Sequence, residues 1–122
     1  MAITITNQTI GLTNRVLKDT AVTNTAVTNV TGTSGSVYLF YANNAANSHA
    51  TYIKFYDTVD APTVGTTVPD YVFMIDASSS QQFIMTAGTA FANGISYTAV
   101  REGGTAGTTA PANALTVWMV TS

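Results

Sequence analysis

The residues that could carry acid–base or nucleophilic chemistry are few and widely spaced in this chain. His49 is the only histidine, and it follows Ser48 in a turn-like segment. A serine nucleophile needs a base that is oriented by a carboxylate, and it needs a sharp turn that exposes its hydroxyl. The serines at 78–80 lack the Gly-x-Ser-x-Gly spacing of such a turn. We therefore expect His49 to be a loop residue, and we predict no catalytic residues.

The candidate carboxylates form no catalytic motif either. They are Asp57, Asp60, Asp70, Asp76 and Glu102. A glycosidase needs two carboxylates facing each other across a cleft, and only the fold could bring these together. The Asp57-x-x-Asp60 spacing lacks the alternating ligands of a dedicated calcium loop, and the chain has no cysteine for a thiolate zinc site. We predict a non-enzymatic protein with no metal site and no cofactor.

One alternating cluster is better suited to binding than to catalysis. Tyr52, Lys54 and Tyr56 occupy every second position and so share one face of an extended strand. Two rings flanking a cation are able to stack on a sugar or to pack against a partner protein. The alternative is a cross-strand ladder on a half-exposed sheet, in which the lysine stem covers the rings. We mark the three residues as a candidate interface.

The segments that position these residues are expected to be short β-strands. Runs of Val, Ile, Thr, Tyr and Phe recur about every ten residues between Gly, Asn, Asp, Pro and Ser, without sustained helical periodicity. This pattern predicts an all-β fold, an antiparallel β-sandwich of jelly-roll or immunoglobulin-like type with eight or nine short strands. We expect strands near 2–6, 14–18, 21–31, 36–42, 50–57, 71–76, 81–87, 94–101 and 114–121.

Two of these segments carry a further prediction. Segment 114–121 is apolar on both faces, which indicates a central or sandwiched strand. The pentapeptide Thr20–Asn24 is repeated directly at Thr25–Asn29. Because five is an odd number, Val22 and Val27 would fall on opposite faces of a continuous strand. Either the chain turns near Asn24 or both faces of one strand are buried.

The amino-terminal residues allow two arrangements. We expect residues 1–122 to form a single β-sandwich domain, and residues 1–12 either extend from it as an arm or begin its own sheet. Ile3 and Ile5 lie on one side of an extended run, so in the arm arrangement they would contact another subunit by strand addition. Both are therefore included in the candidate interface. Residues 1–6 lack the basic region and the long apolar region of a signal peptide.

The charge content limits the classes of partner. Four basic and six acidic residues make up 8% of the chain, against about 25% in a typical soluble domain. The basic residues are scattered, whereas nucleic-acid binding requires clustered Lys and Arg. No apolar run reaches the roughly 20 residues that cross a bilayer. We expect neither nucleic acid nor membrane as a partner, and we expect other protein subunits to cover an exterior so poor in charge.

The stretch 52–107 also carries a distinctive series of strand and turn residues. It reads Tyr52-x-Lys54-x-Tyr56-Asp57, then Ala61-Pro62-Thr63-Val64-Gly65-Thr66-Thr67-x-Pro69, then Phe91-x-x-Gly94-Ile95-Ser96, and then Ala99-Val100 before Thr105-Ala106-Gly107. This series resembles small virion structural proteins of tailed bacteriophages, cyanophages among them. The similarity covers nearly half of the chain and is a spacing of turn and strand residues, with no catalytic residues to carry over.

The resemblance implies a role in a phage particle. Capsid decoration (cement) proteins of this class are typically small, cysteine-free β-domains, often trimeric, that clamp adjacent major capsid subunits. We therefore expect a homotrimer that binds the major capsid protein at the capsid surface of the virion. A tail, baseplate or fibre component is the alternative within the particle. A carbohydrate-binding module for host attachment, with Tyr52 and Tyr56 as its stacking platform, is the alternative of another class.

Overall fold

Two antiparallel sheets packed face to face make up the part of the chain that the computed structural model describes, residues 2–7 and 14–122. The predicted all-β sandwich is confirmed, since these residues contain eight strands and no helix. The strands are β1 (Ile3–Asn7), β2 (Arg15–Val22), β3 (Gly35–Asn43), β4 (Thr51–Asp57), β5 (Tyr71–Ile75), β6 (Ser80–Phe91), β7 (Ile95–Val100) and β8 (Leu115–Thr121).

The order of the strands identifies the type of sandwich. One sheet has five strands in the order β1-β2-β8-β3-β6, and the other has three in the order β5-β4-β7. Segment 23–30 follows the free edge of β7 through a bridge between Val27 and Tyr97 and a 2.9 Å bond from Val30 N to Ile95 O. Segment 23–30 can be counted as the strand after β2, and the eight elements from β2 to β8 are then renumbered 1 to 8 in chain order. In this numbering the strand order is 1-8-3-6 in one sheet and 2-7-4-5 in the other. That is the jelly-roll order, so the jelly roll is observed and the immunoglobulin-like alternative is not.

The prediction of one continuous strand at 21–31 is wrong. Residues 21–22 end β2, the chain bends at Asn24 and Thr25, and the remainder contributes a single bridge. Of the two arrangements considered for the pentapeptide repeat, the turn near Asn24 is therefore the one observed. It moves the chain from one sheet to the other, and this is why Val22 and Val27 are both buried.

The core lies between the two sheets and is rich in aromatic rings. Phe40 on β3 and Phe55 on β4 meet across the sheets with ring centroids 5.3 Å apart and planes at 86°. Full burial of such a side chain contributes roughly 1.5–3 kcal/mol to stability. β8 is central, between β2 and β3, as its two apolar faces predict. The aromatic core fixes the spacing of the sheets and hence which side chains are left outside.

A buried polar pair also joins the sheets. Tyr97 donates a 2.9 Å hydrogen bond from its hydroxyl to Asp19 Oδ2, and both residues are fully buried. Asp19 Oδ1 accepts a second bond, of 3.0 Å, from the backbone N–H of Ala21. Burial and the negative charge of Asp19 together raise the pKa of Tyr97 well above its ordinary value. Asp19 is thus a structural carboxylate that fixes β2 against β7.

β1 is an edge strand of the five-stranded sheet. It pairs with β2 so that Ile3 lies opposite Asp19 and Ile5 opposite Leu17, which places both isoleucines on the inner face. Ile3 packs against the core, whereas Ile5 remains partly exposed. Residues 3–7 therefore belong to the protein's own sheet, and the arm arrangement is wrong for them. The other residues of the predicted 1–12 arm, apart from Ala2, lie outside the described residues.

Candidate interaction surfaces

The cluster of Tyr52, Lys54 and Tyr56 is not the open face that its alternation suggested. All three lie on the outer face of the three-stranded sheet, yet Lys54 is 0% exposed, Tyr56 is 1% exposed and Tyr52 is half-buried. The expectation that these side chains present a free interface is therefore wrong for Lys54 and Tyr56. The Tyr56 hydroxyl is buried without a hydrogen-bond partner, and burial raises the pKa of Tyr56.

Residues 101–110, which we call the cover loop, lie over this face. Lys54 Nζ donates hydrogen bonds to the carbonyl oxygens of Gly104 and Gly107, the latter at 3.3 Å. Gly103 packs directly on the ring of Tyr52, where a Cβ atom at position 103 would lie 2.8 Å from Cε1. Burial lowers the pKa of Lys54, and the negative charge of Glu102 partly opposes this shift. The lysine thus acts as an internal anchor for the loop.

The cover loop is also closed by its own hydrogen bonds. Glu102 accepts bonds through its two carboxylate oxygens from the hydroxyl and the backbone N–H of Thr109, and these bonds lower the pKa of Glu102. The backbone N–H of Arg101 donates to Thr109 O at 3.0 Å. Asn24 Nδ2 donates to Thr108 O at 3.0 Å and ties the loop to the bend after β2. These hydrogen bonds hold the Gly- and Thr-rich cover loop in one conformation.

His49 has a structural role at one end of the sandwich. Its Nε2 accepts a 3.3 Å bond from the backbone N–H of Ala112, which leaves Nδ1 as the donor to Ala50 O at 3.0 Å. The buried amide of Asn44 lies nearby and donates to His49 O at 2.9 Å and to Asp76 O at 3.0 Å. These bonds join the β3–β4, β5–β6 and β7–β8 connections. They use both ring nitrogens of the histidine.

Asp57 holds the turn at the other end. Its carboxylate accepts backbone N–H bonds from Ala92, Asn93 and Gly94 at 3.0, 2.8 and 3.3 Å. Burial opposes ionisation of Asp57, but these bonds outweigh it and hold the pKa below its ordinary value. Asp57 also donates its backbone N–H to Asp70 Oδ2 at 2.7 Å. The two aspartates are turn-stabilising residues in this structure.

Neither a metal centre nor a small-molecule pocket emerges in the described ranges. No group of three or more His, Asp or Glu side chains within residues 2–7 and 14–122 is placed to hold an ion. A small apolar cleft opens between β5 and β6, lined by Phe55, Tyr71, Phe73, Met85 and Phe91 among others. Its volume is about 10 Å³, which is room for about one water molecule.

An apolar surface that sequence reasoning missed is the outer face of the five-stranded sheet. The strand register aligns two cross-strand rows on it. We call this surface the apolar outer face: an aliphatic row of Ile84, Leu39, Val120 and Val16 beside a row of Gln82, Tyr41, Trp118 and Lys18. Ile84 is 64% exposed and Trp118 is 39% exposed. The apolar second face of segment 114–121 was the sequence signal that could have located it.

The charge of the apolar outer face is limited to one residue. Lys18 is directed outward and lies over Trp118, with its Nζ 4.6 Å from the ring centroid. Arg15 lies on the opposite side of β2 and donates to Thr31 O at 2.9 Å, and Asp19 is buried in the core. The described strands of this sheet place no acidic side chain on the outer face. A contiguous apolar surface of this kind is typical of a protein interaction site.

Comparison with protein-family models, curated proteins and solved structures found no match for this chain. Within the described ranges no helix is long and apolar enough to span a membrane.

Proposed function

We propose that this protein is a non-enzymatic structural protein of a tailed-bacteriophage particle, and within it a capsid decoration (cement) subunit. It binds the major capsid protein at the capsid surface and associates with further copies of itself, as a homotrimer. The observation that carries the proposal is the apolar outer face on a chain in which only 8% of residues are charged. Such a surface is stable in water when another protein covers it.

Two further features support a structural role over an enzymatic one. His49 and Asp57, the residues best suited to acid–base chemistry, each hold a turn through backbone hydrogen bonds. By fold analogy, the jelly roll is an architecture shared with viral capsid domains and lectins. A decoration protein needs only a surface that is complementary to the shell. If it binds the assembled shell and not the separate subunits, its binding free energy stabilises the shell.

There are two alternatives to the cement role. A tail, baseplate or fibre subunit would use the same kind of surface, so it remains an outcome of the localisation experiment below. A carbohydrate-binding module was expected to stack a sugar on Tyr52 and Tyr56. Because Tyr56 is buried and Tyr52 is packed under Gly103, that platform is not accessible in this structure.

The proposal is tested on particles with and without the protein. Averaged images of the intact particle should show its density on the capsid at regular positions, and shells that lack it should rupture at a lower temperature than decorated shells. Adding back the purified protein should restore the rupture temperature. Density confined to the tail, together with unchanged shells, would replace the cement role by a tail role. The absence of the protein from particles would end the phage proposal altogether.

A further inference from the structure

A second exposed apolar surface lies on the opposite sheet. β5 is an edge strand of the three-stranded sheet, and its residues Val72 and Met74 are 41% and 46% exposed. Val68 in the preceding loop is exposed as well. The acidic residues Asp70 and Asp76, both exposed, flank the strand directly. We call these five residues the β5 patch.

The two surfaces are complementary in charge and alike in apolar character. The apolar outer face carries one cation, Lys18, and no acid, whereas the β5 patch carries two carboxylates that flank its apolar residues. The one cation on β4, Lys54, is buried and bonded to the cover loop. Each surface thus supplies the charge that the other lacks. Complementary charges of this kind fix the register of a contact and exclude wrong partners.

Contact between two identical surfaces is less favourable at either site. Two apolar outer faces packed together would bring two Lys18 ammonium groups into one apolar contact without an acid. Two β5 strands paired antiparallel about Phe73 would place Asp70 opposite Asp76 at both ends of the pair. Like charges directly opposite each other destabilise strand pairs. The charges therefore favour contact between two different surfaces.

We infer that copies of this chain associate head to tail, with the apolar outer face of one copy covering the β5 patch of the next. A contact between unlike surfaces either closes into a ring or continues as a filament, and a trimer is the smallest ring that it forms. From strand spacing and rise, the two outward rows of the apolar outer face, which cross four strands, cover roughly 250 Å². A single contact of that size is weak, whereas a ring in which every copy uses both surfaces holds together more firmly.

The inference rests on the self-association in the proposed function and not on the phage particle, so it is tested with the purified protein alone. The probes are two surface variants: Ile84→Asp on the apolar outer face and Met74→Lys on the β5 patch. Sedimentation velocity and native mass spectrometry report their assembly, and circular dichroism with thermal melting confirms that they fold. We expect the wild type to form oligomers, as rings or filaments, and each single variant to be monomeric, with association weakened roughly 100-fold.

Mixing the two variants separates the possible contacts. The Ile84→Asp chain keeps its β5 patch and the Met74→Lys chain keeps its apolar outer face, so a head-to-tail contact gives a one-to-one heterodimer that does not grow further. If Met74→Lys alone forms homodimers, two apolar outer faces meet and the inference is wrong. It is equally wrong if Ile84→Asp alone forms homodimers, because two β5 strands then pair.

The oligomeric state of the wild type is itself decisive. A wild-type chain that stays monomeric at the highest soluble concentration overturns both the inference and the proposed homotrimer. If that monomer still binds capsid shells, the capsid-binding part of the proposed function survives. Should either variant fail to fold, Trp118→Gln and Val72→Gln repeat the experiment with smaller changes. The charge-swapped pair adds a separate readout: Lys18→Glu should weaken assembly, and adding Asp76→Lys in the same chain should restore it.

Discussion

The outer faces of the two sheets differ in whether a loop of the chain covers them. On the three-stranded sheet, the cover loop lies over Tyr52 and Lys54 and is anchored by hydrogen bonds to the lysine. On the five-stranded sheet, the apolar outer face has no loop of the described chain anchored to it in this way, and Ile84 is 64% exposed. Both faces carry aromatic residues and one outward lysine. The chain therefore covers the outer face of the smaller sheet with its own loop and leaves that of the larger sheet uncovered.

The difference between the two lysines gives the largest expected effect. Lys54→Met keeps the apolar stem but removes the donor to Gly104 O and Gly107 O. Because these carbonyls then lose their partner under a closed loop, we expect the free energy of unfolding to fall by about 2–4 kcal/mol. Urea denaturation measures the change, and limited proteolysis should cut the cover loop faster.

The matched control is the same substitution on the other sheet. Lys18→Met removes a half-exposed cation–π contact with Trp118, so we expect a change of at most about 1 kcal/mol. Equal losses in the two variants would contradict the contrast between an anchored face and an uncovered one.

Asp57, at the end of β4, gives the next effect and makes it dependent on pH. Asp57→Asn should lower the free energy of unfolding by about 1–2 kcal/mol at pH 7, since bonds to a charged acceptor are stronger than bonds to an amide. The pKa of Asp57 is lowered from 3.8 in the folded state, so its contribution is present above 3.8 and is lost as the pH falls through the lower value.

Acid titration of stability therefore checks this prediction. The difference between wild type and Asp57→Asn should narrow progressively below pH 4. Asp60→Asn changes an exposed aspartate in the neighbouring turn and should leave stability nearly unchanged at pH 7. A gap that stays constant down to pH 2 would show that the carboxylate charge is not what holds the turn at 92–94.

Two adjacent glycines test how closely the cover loop fits. An alanine Cβ at Gly103 would lie 2.8 Å from Tyr52 Cε1, so Gly103→Ala should destabilise the protein by about 1 kcal/mol as the ring is displaced. At Gly104 no atom lies within 4 Å of the added Cβ. Gly104→Ala should therefore leave the thermal midpoint unchanged or slightly raised. A larger loss at Gly104 than at Gly103 would argue against the described packing.

The sequence predicted the elements of this fold better than their mutual arrangement. Alternation in segments such as 50–57 and 114–121 is local, and it located the strands β4 and β8 well. Which strands pair is decided by distant residues: Arg15 lies opposite Thr121, near the two ends of the chain. The choice between jelly roll and immunoglobulin-like sandwich was therefore open until that register was known.

The same limit applies to the candidate surfaces. Tyr52, Lys54 and Tyr56 share a face as their spacing predicts, but burial by a loop some 50 residues later follows from no local pattern. The Gly- and Thr-rich composition of that loop gives no sign of a lysine placed beneath two of its carbonyl groups. Trp118 and Ile84 come together only through the pairing of β3 with β8 and β6.

The smallest expected effect bears most directly on the uncovered face. Ile84→Thr should change the free energy of unfolding by no more than about 0.5 kcal/mol in dilute solution, because its side chain is already 64% exposed. The same substitution at Ile53, which is fully buried on β4, should cost about 2–4 kcal/mol through lost packing and a buried hydroxyl. Chemical denaturation at low protein concentration compares the two. A large loss at Ile84 would mean that the aliphatic row holds the monomer together. A negligible loss means that folding gives no reason for this row to be apolar, and association with another protein then becomes its explanation.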